Sequence, residues 1–136
     1  MQLKNIDHLN LTVADFEETV AWYHRVFGFE LVEEDVQDGT RWGVIRQGDV
    51  MLCIYQFEDC RYEDRFALRK MGLHGINHFG LRITDRAAWE EIVDREKIEV
   101  LYDGPTRWSH STSWYISDPT GYEIEVALWD DDMVAF

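Results

Sequence analysis

Apolar and polar residues alternate from Ile6 to Asp15, with Leu9, Leu11 and Val13 on one side and His8, Asn10 and Thr12 on the other. That period of two predicts a half-buried strand. Shifted by 70 positions, Ile6-Asp-His-Leu-Asn-Leu-Thr-Val-Ala-Asp15 falls on Ile76-Asn-His-Phe-Gly-Leu-Arg-Ile-Thr-Asp85, and Ile, His, Leu and Asp coincide. Phe79, Leu81 and Ile83 form the apolar stripe of the second segment. His8 and His78 therefore stand at the same repeat position, on the face opposite the main apolar stripe.

Each strand runs into a helix. Asp15 is placed to cap the first, with Glu18 three residues on, and Phe16, Val20, Tyr23 and Phe27 recur at helical spacing until Gly28 stops it. Asp85 opens the second, whose apolar face is Ala88, Trp89, Ile92 and Val93. Strand patterns follow in the same order in both halves. They cover Phe29 to Glu34, Arg41 to Arg46 and Val50 to Phe57, then Ile98 to Tyr102, Ser113 to Ser117 and Glu123 to Trp129. Turn residues separate them at Asp38-Gly39, Gln47-Gly48-Asp49, Asp103-Gly104-Pro105 and Asp118-Pro119-Thr120-Gly121. The pattern predicts an α+β fold of two tandem βαβββ modules, residues 1–57 and 76–136, forming a curved mixed sheet. A charged linker, 58–75, joins them, with a helical turn from Arg65 to Met71.

Composition narrows the function. The 136 residues are 46% hydrophobic and 14% aromatic, enough to bury a core, so a single globular domain is expected and disorder is excluded. Thirteen Lys and Arg against 27 Asp and Glu give a net charge of −14, which repels nucleic acid and anionic membrane surfaces. Nothing approaches the ~20 apolar residues of a membrane span, and Met1-Gln-Leu-Lys-Asn does not begin a signal peptide; a cytoplasmic location is expected. Cys53 and Cys60 form neither a disulfide framework nor a zinc knuckle and are read as free thiols.

Chemistry enters through one strand. Glu123, Glu125, Ala127 and Trp129 share a face, and a glutamate inside a strand is costly to bury without a partner. In a curved sheet built from two repeats, the first and last strands of the modules converge, which brings His8, His78 and Glu125 within reach of one another. Two imidazoles and a carboxylate are a metal-binding set that leaves coordination positions open. His24, His74 and His110 lie on a helix, in the linker and before a strand, and are read as structural.

Four segments, Ile6-Asp-His-Leu-Asn-Leu, Trp22-Tyr-His-Arg-Val-Phe-Gly-Phe-Glu-Leu, Ile76-Asn-His-Phe-Gly-Leu and Ser117-Asp-Pro-Thr-Gly-Tyr-Glu-Ile-Glu, together resemble the vicinal oxygen chelate superfamily over nearly the whole chain. That group contains glyoxalase I, extradiol dioxygenases, methylmalonyl-CoA epimerase and fosfomycin-resistance enzymes. The resemblance implies one divalent ion, Fe, Mn, Ni or Zn, on His8, His78 and Glu125, holding two neighbouring oxygens of a small substrate. It also implies a homodimer. Aligning the turn glycines Gly48 and Gly121 places Leu52 opposite Glu125, where glyoxalase I and the epimerase carry a fourth ligand. Leucine cannot ligate, so three-ligand subfamilies come first.

Among these, extradiol dioxygenases carry a tyrosine near the metal ten residues before the glutamate, which falls on Tyr115. Tyr115 is the candidate catalytic residue, with Ser113 on its face. The glycine alignment makes Trp42 its counterpart, and Trp129 and Asn10 join Trp42 and Ser113 as candidate substrate contacts. An extradiol-type oxidoreductase is the leading expectation. Fosfomycin thiol transferases share the length and triad, but three carboxylates, Asp130 to Asp132, stand near the C-terminus where a phosphonate needs cations. The third expectation is a metal-free binder like the bleomycin-resistance proteins.

Overall fold

The structure, a computed structural model, describes residues 1–135. The chain divides into two compact units, Met1–Tyr62 and the residues from Glu63 onward. Unit one contains β1 (Leu9–Thr12), α1 (Phe16–Phe27), β2 (Glu30–Gln37), β3 (Thr40–Gln47) and β4 (Val50–Gln56). Unit two contains α2 (Arg65–Lys70), β5 (Phe79–Ile83), α3 (Arg86–Glu96), β6 (Thr106–Arg107), β7 (Ser111–Ser117) and β8 (Glu123–Trp129), then one 3₁₀ turn. Each unit forms a four-stranded mixed sheet, ordered β1-β4-β3-β2 in one and β5-β8-β7-β6 in the other. The expected α+β class and the two modules are observed.

Both long helices start where the sequence places them. Asp15 Oδ1 accepts from the Glu18 amide at 2.9 Å and Asp85 Oδ1 from the Ala88 amide at 3.0 Å, satisfying amides that have no partner inside the helix. Gly28 closes α1 at φ 72°, a left-handed turn that glycine adopts without a Cβ clash. The buried stripe of α1 is Phe16, Thr19, Tyr23 and Val26, not the predicted Phe16, Val20, Tyr23 and Phe27. Thr19 is tolerated there because its hydroxyl donates to the Asp15 carbonyl at 2.6 Å. On α3 only Trp89 is buried, so the expected four-residue face shrinks to one anchor.

In each unit the first strand pairs in parallel with the last, β1 with β4 and β5 with β8, and antiparallel hairpins complete the sheet. The core of unit one includes Leu11, Val13, Phe16, Tyr23, Val26, Phe29, Ile45, Leu52 and Ile54; that of unit two includes Trp89, Trp114, Tyr115, Ile116, Ile124 and Val126. The alternation of the strands decides these sets, since Ile124 and Val126 are buried on the face opposite Glu125.

The predicted strand from Ile98 to Tyr102 does not form. One backbone bond, from the Leu101 amide to the Tyr115 carbonyl, ties this stretch to β7. The chain then turns through Tyr102, Asp103 and Gly104 at φ 60°, 63° and 116°, a left-handed run that cannot continue a ladder. The edge strand is instead the two-residue β6. The linker is partly ordered: α2 begins at Asp64, whose carboxylate accepts from the Phe66 and Ala67 amides.

Candidate functional site

The chemistry-bearing side chains of unit two meet at the start of β5 and the middle of β8. His78 directly precedes β5, and β5 pairs with β8 so that Gly80 lies beside Glu125. His78 Nε2 stands 3.0 Å from Glu125 Oε2, with the two side chains 34% and 23% exposed. Ser113, fully buried on the neighbouring strand β7, donates its hydroxyl to Glu125 Oε1 at 2.6 Å. Tyr115 lies opposite Glu125 in the β7–β8 register. Its ring meets His78 edge-on with centroids 5.5 Å apart, and meets Tyr102 edge-on at 5.4 Å. Burial, reinforced by the Glu125 charge, raises the Tyr115 phenol above its ordinary range against a side-chain hydrogen bond with Trp108. Tyr115 therefore keeps its proton at neutral pH and is available as a donor.

A second carboxylate lies beneath this pair, and sequence reasoning gave it no role. Glu123 is buried, and its Oε2 contacts Arg65 Nε at 2.8 Å and accepts from the Tyr102 hydroxyl at 2.6 Å. Arg65 Nη2 in turn donates to the Tyr102 hydroxyl at 2.8 Å. Glu123 Oε1 has no hydrogen-bond partner and lies 3.6 Å from His78 Nδ1. Only the parity of Glu123 with Glu125 signalled this in the sequence; Arg65 and Tyr102 arrive from the linker helix and a turn, with no periodicity to announce them.

In unit one, His8 directly precedes β1, is exposed, and contacts Asp7 Oδ2 through Nδ1 at 2.8 Å. Asn10, also exposed, lies beside Cys53 in the β1–β4 register. Trp42 stacks on Tyr55 with centroids 6.3 Å apart, and Tyr55 stacks on Phe57 at 6.1 Å. Tyr55 as the partner of Trp42, and Phe57 stacked behind it, carry the strand parity of Cys53. Trp129, in unit two, is half-buried opposite Ser111 at the far end of β8.

Strand register corrects the alignment on turn glycines. Leu9 pairs with Leu52 and Asn10 with Cys53, as Phe79 pairs with Ile124 and Gly80 with Glu125. The repeat counterpart of Glu125 is thus Cys53, while Leu52 matches the core residue Ile124. The cause is turn length: β3 and β4 are joined by two residues, Gly48-Asp49, and β7 and β8 by the longer Asp118–Tyr122 turn. By the same register the counterpart of Tyr115 is Val44, and Trp42 matches Ser113.

Two of the three carboxylates near the C-terminus are ion-paired with arginines of the same unit. Arg107 donates to both Asp130 oxygens, at 2.8 and 2.5 Å, and Arg82 pairs with Asp132 at 2.5 Å. Hydrogen bonding by Arg107 lowers the Asp130 pKa.

Among the described residues, no group of three His, Cys, Asp or Glu side chains is placed to hold a metal ion. What unit two does present is one imidazole nitrogen facing one carboxylate, a donor pair whose chemistry fits a borderline divalent ion. Cys53 and Cys60 are free thiols. No helix among the described residues is long and apolar enough to cross a membrane.

Comparison with known proteins bears on the fold. A model of the Glyoxalase/Bleomycin resistance protein/Dioxygenase superfamily matches residues 5–126. No curated protein sequence matches the chain. Among solved structures, a glyoxylase/bleomycin resistance protein/dioxygenase domain from Frankia sp. EAN1pec is similar with a TM-score of 0.78 and 14% identity, covering 94% of this chain and 99% of the other. The genomically encoded fosfomycin resistance protein FosX from Listeria monocytogenes gives 0.72 and 16%, covering 94% and 95%. The antibiotic binding protein TnmS3 from Streptomyces sp. CB03234 gives 0.68 and 19%, covering 96% and 99%.

Proposed function

This chain belongs to the Glyoxalase/Bleomycin resistance protein/Dioxygenase superfamily, and from that membership we infer that it is a divalent-metal-dependent enzyme acting on a small molecule with two neighbouring oxygens. The observation that carries the reading is His78 Nε2 held 3.0 Å from Glu125 Oε2 beside the Tyr115 ring. His78 and Glu125 supply two donors. His8 is assigned as the third by its place in the repeat, from the same chain or from the partner copy of a homodimer. Two imidazoles and a carboxylate suit Fe(II), Mn(II), Ni(II) or Zn(II).

When bound, the metal supplies Lewis-acid polarisation of the two substrate oxygens. The protein does the rest. Ser113 fixes the Glu125 carboxylate through the 2.6 Å hydrogen bond, leaving Oε2 turned to His78. Tyr115 donates its retained proton as a hydrogen bond to a substrate oxygen. Asn10, Trp42 and Trp129 are the proposed substrate contacts, the two indoles suiting a planar molecule. The favoured substrate is a catechol-like diol and the reaction an oxidative ring opening in which both atoms of dioxygen enter the product. A cytoplasmic location belongs to the same proposal.

One observation favours a second reading. With Cys53 in place of Leu52 at the fourth-ligand position, the leucine argument against glyoxalase- and lyase-type chemistry falls. A thiolate is a competent zinc ligand. Fosfomycin-resistance-type thiol transfer and metal-free small-molecule binding remain as competitors on fold likeness alone.

Metal analysis of the wild type and His78→Ala tests the first step: stoichiometric metal in the wild type and loss in the variant are expected, and equal occupancy removes His78 from the site. Activity is then screened with catechols in air, methylglyoxal with glutathione, and fosfomycin with thiols. Ring opening by the Fe(II)- or Mn(II)-loaded protein is expected, slowed in Tyr115→Phe with substrate binding kept. Turnover of methylglyoxal or fosfomycin alone overturns the dioxygenase reading and leaves the metal site standing.

A further inference from the structure

Glu123 is the polar group whose burial most needs a reason. It stands two residues before Glu125, yet its side chain is 3% exposed against 23% for Glu125. A carboxylate withdrawn from water persists only when its oxygens are partnered. Oε2 accepts a hydrogen bond from the Tyr102 hydroxyl and is ion-paired with Arg65 Nε of α2 at 2.8 Å. Tyr102 reaches it from a backbone at φ 60°, a conformation bulky residues seldom adopt, so the surrounding structure holds this phenol in place against its local preference. Oε1 is left without a hydrogen bond, 3.6 Å from His78 Nδ1.

We propose that Glu123 is the positioning residue of His78, accepting a hydrogen bond from Nδ1–H through Oε1 and so reserving the Nε2 lone pair for a metal ion shared with Glu125. The inference rests on the metal reading above. A neutral imidazole has one N–H and one lone pair, and here each ring nitrogen faces a different carboxylate. Whichever carboxylate accepts the N–H hydrogen bond decides which nitrogen is free to ligate.

Burial decides between them. Glu125 is partly open to water and already accepts from Ser113, so it loses little without the imidazole proton. Glu123 Oε1 has no such substitute, and an unsatisfied buried acceptor bears its full desolvation penalty. The 3.6 Å separation exceeds a hydrogen bond by a few tenths of an ångström, and a small turn of the exposed His78 ring closes it. Arg65 and Tyr102 act one step further back, fixing the Glu123 carboxylate so that Oε1 keeps facing the ring. A carboxylate behind a histidine ligand, with its own partners behind it, is a recurrent way of orienting a metal site.

The test uses Zn(II) as the probe. Affinity is read by competition with a chromophoric chelator, and the His78 ring by NMR of histidine-labelled, Zn(II)-loaded protein. In the wild type the His78 proton should sit on Nδ1, shifted downfield and slow to exchange. In Glu123→Gln, Arg65 can only donate and so retains the amide oxygen; the amide NH₂ then faces Nδ1 and opposes the ligating tautomer. Zn(II) binding should weaken by roughly 10–100-fold, the range for losing such a partner, and the Nδ1 proton signal should disappear. The double variant Arg65→Met with Glu123→Leu removes both charges and leaves no unpaired buried ion, so it should fold and bind Zn(II) as weakly. Unchanged affinity in both variants, a loss in Glu123→Gln alone, or a proton found on Nε2 overturns the assignment while the metal reading stands. A folded wild type that takes up no Zn(II) overturns both.

Discussion

Ser113 and Glu125 are joined by a 2.6 Å hydrogen bond between adjacent strands, with Ser113 fully buried and Glu125 partly open. Ser113→Ala deletes the donor and leaves a small void. Water reaches Glu125, so the carboxylate is not stranded, and the expected cost is about 1–2 kcal/mol rather than the larger penalty of a sealed charge. Urea denaturation read by tryptophan fluorescence checks this. A loss near zero would mean that the bond is no stronger than its replacement by water.

Gly43 lies where β3 passes over α1, and its φ is not in the left-handed region, so only space is at issue. A Cβ there would stand 2.7 Å from the Phe16 ring and 2.9 Å from the Glu33 carbonyl oxygen. Phe16 is fully buried, with Arg41 over its ring, and the carbonyl belongs to the paired strand β2. Neither yields cheaply. Gly43→Ala is expected to destabilise by roughly 1–3 kcal/mol through overpacking, seen as a lower thermal midpoint. An unchanged midpoint would show that β2 and β3 slide apart freely.

The two thiols should differ in reactivity. Burial, then the negative charges of Asp7 and Glu33, raise the Cys53 pKa, whereas Cys60 is exposed. Each effect disfavours the thiolate, the reactive form, so without a bound metal Cys53 stays a thiol at neutral pH. Iodoacetamide followed by peptide mass analysis should modify Cys60 first, with Cys53 catching up only as pH rises. Faster labelling of Cys53 would indicate a cation near it.

Strand β2 is an edge of its sheet and exposes Val32 and Val36, which are 57% and 62% accessible. Open edges with exposed apolar side chains are templates for pairing. The homodimer implied by the family resemblance is therefore expected in solution. Light scattering at micromolar concentration checks it, and Val36→Lys should shift the protein toward monomer. A monomeric wild type would confine all three proposed ligands to a single chain.

The parts of the fold that follow short-range rules were legible in the sequence. Asp15, Asp85 and Gly28 mark helix ends because capping is decided within four residues, and alternation separates Glu125 from Ile124 because side-chain parity is local. What escaped depends on distant segments. The opposition of Cys53 and Glu125 is fixed by parallel pairing with β1 and β5, and the unequal hairpin turns hide it from an alignment on glycines. The stretch from Ile98 to Tyr102 reads as a strand by composition, but the left-handed run at Tyr102 and Asp103 overrides it. Arg65 beside Glu123 was illegible because a linker arginine carries no sign of the carboxylate it will meet across the unit.

The parallel closure of unit two has a consequence for how the protein is made. His78 is placed by β5, and β5 takes its hydrogen-bonded position only against β8, about forty residues further along the chain. As the polypeptide leaves the ribosome, the histidine emerges early and waits, while α3 and then the β6–β7 hairpin take shape from nearby residues. Its carboxylate neighbours arrive with the final strand. Contacts this distant in sequence form late, because the intervening loop must be closed before they repay its entropy. A chain interrupted after Ser117 would already hold Tyr115 and Ser113 but would have nothing to align them with. The proposed metal ligands His78 and Glu125 are therefore brought together only at the last stage of folding.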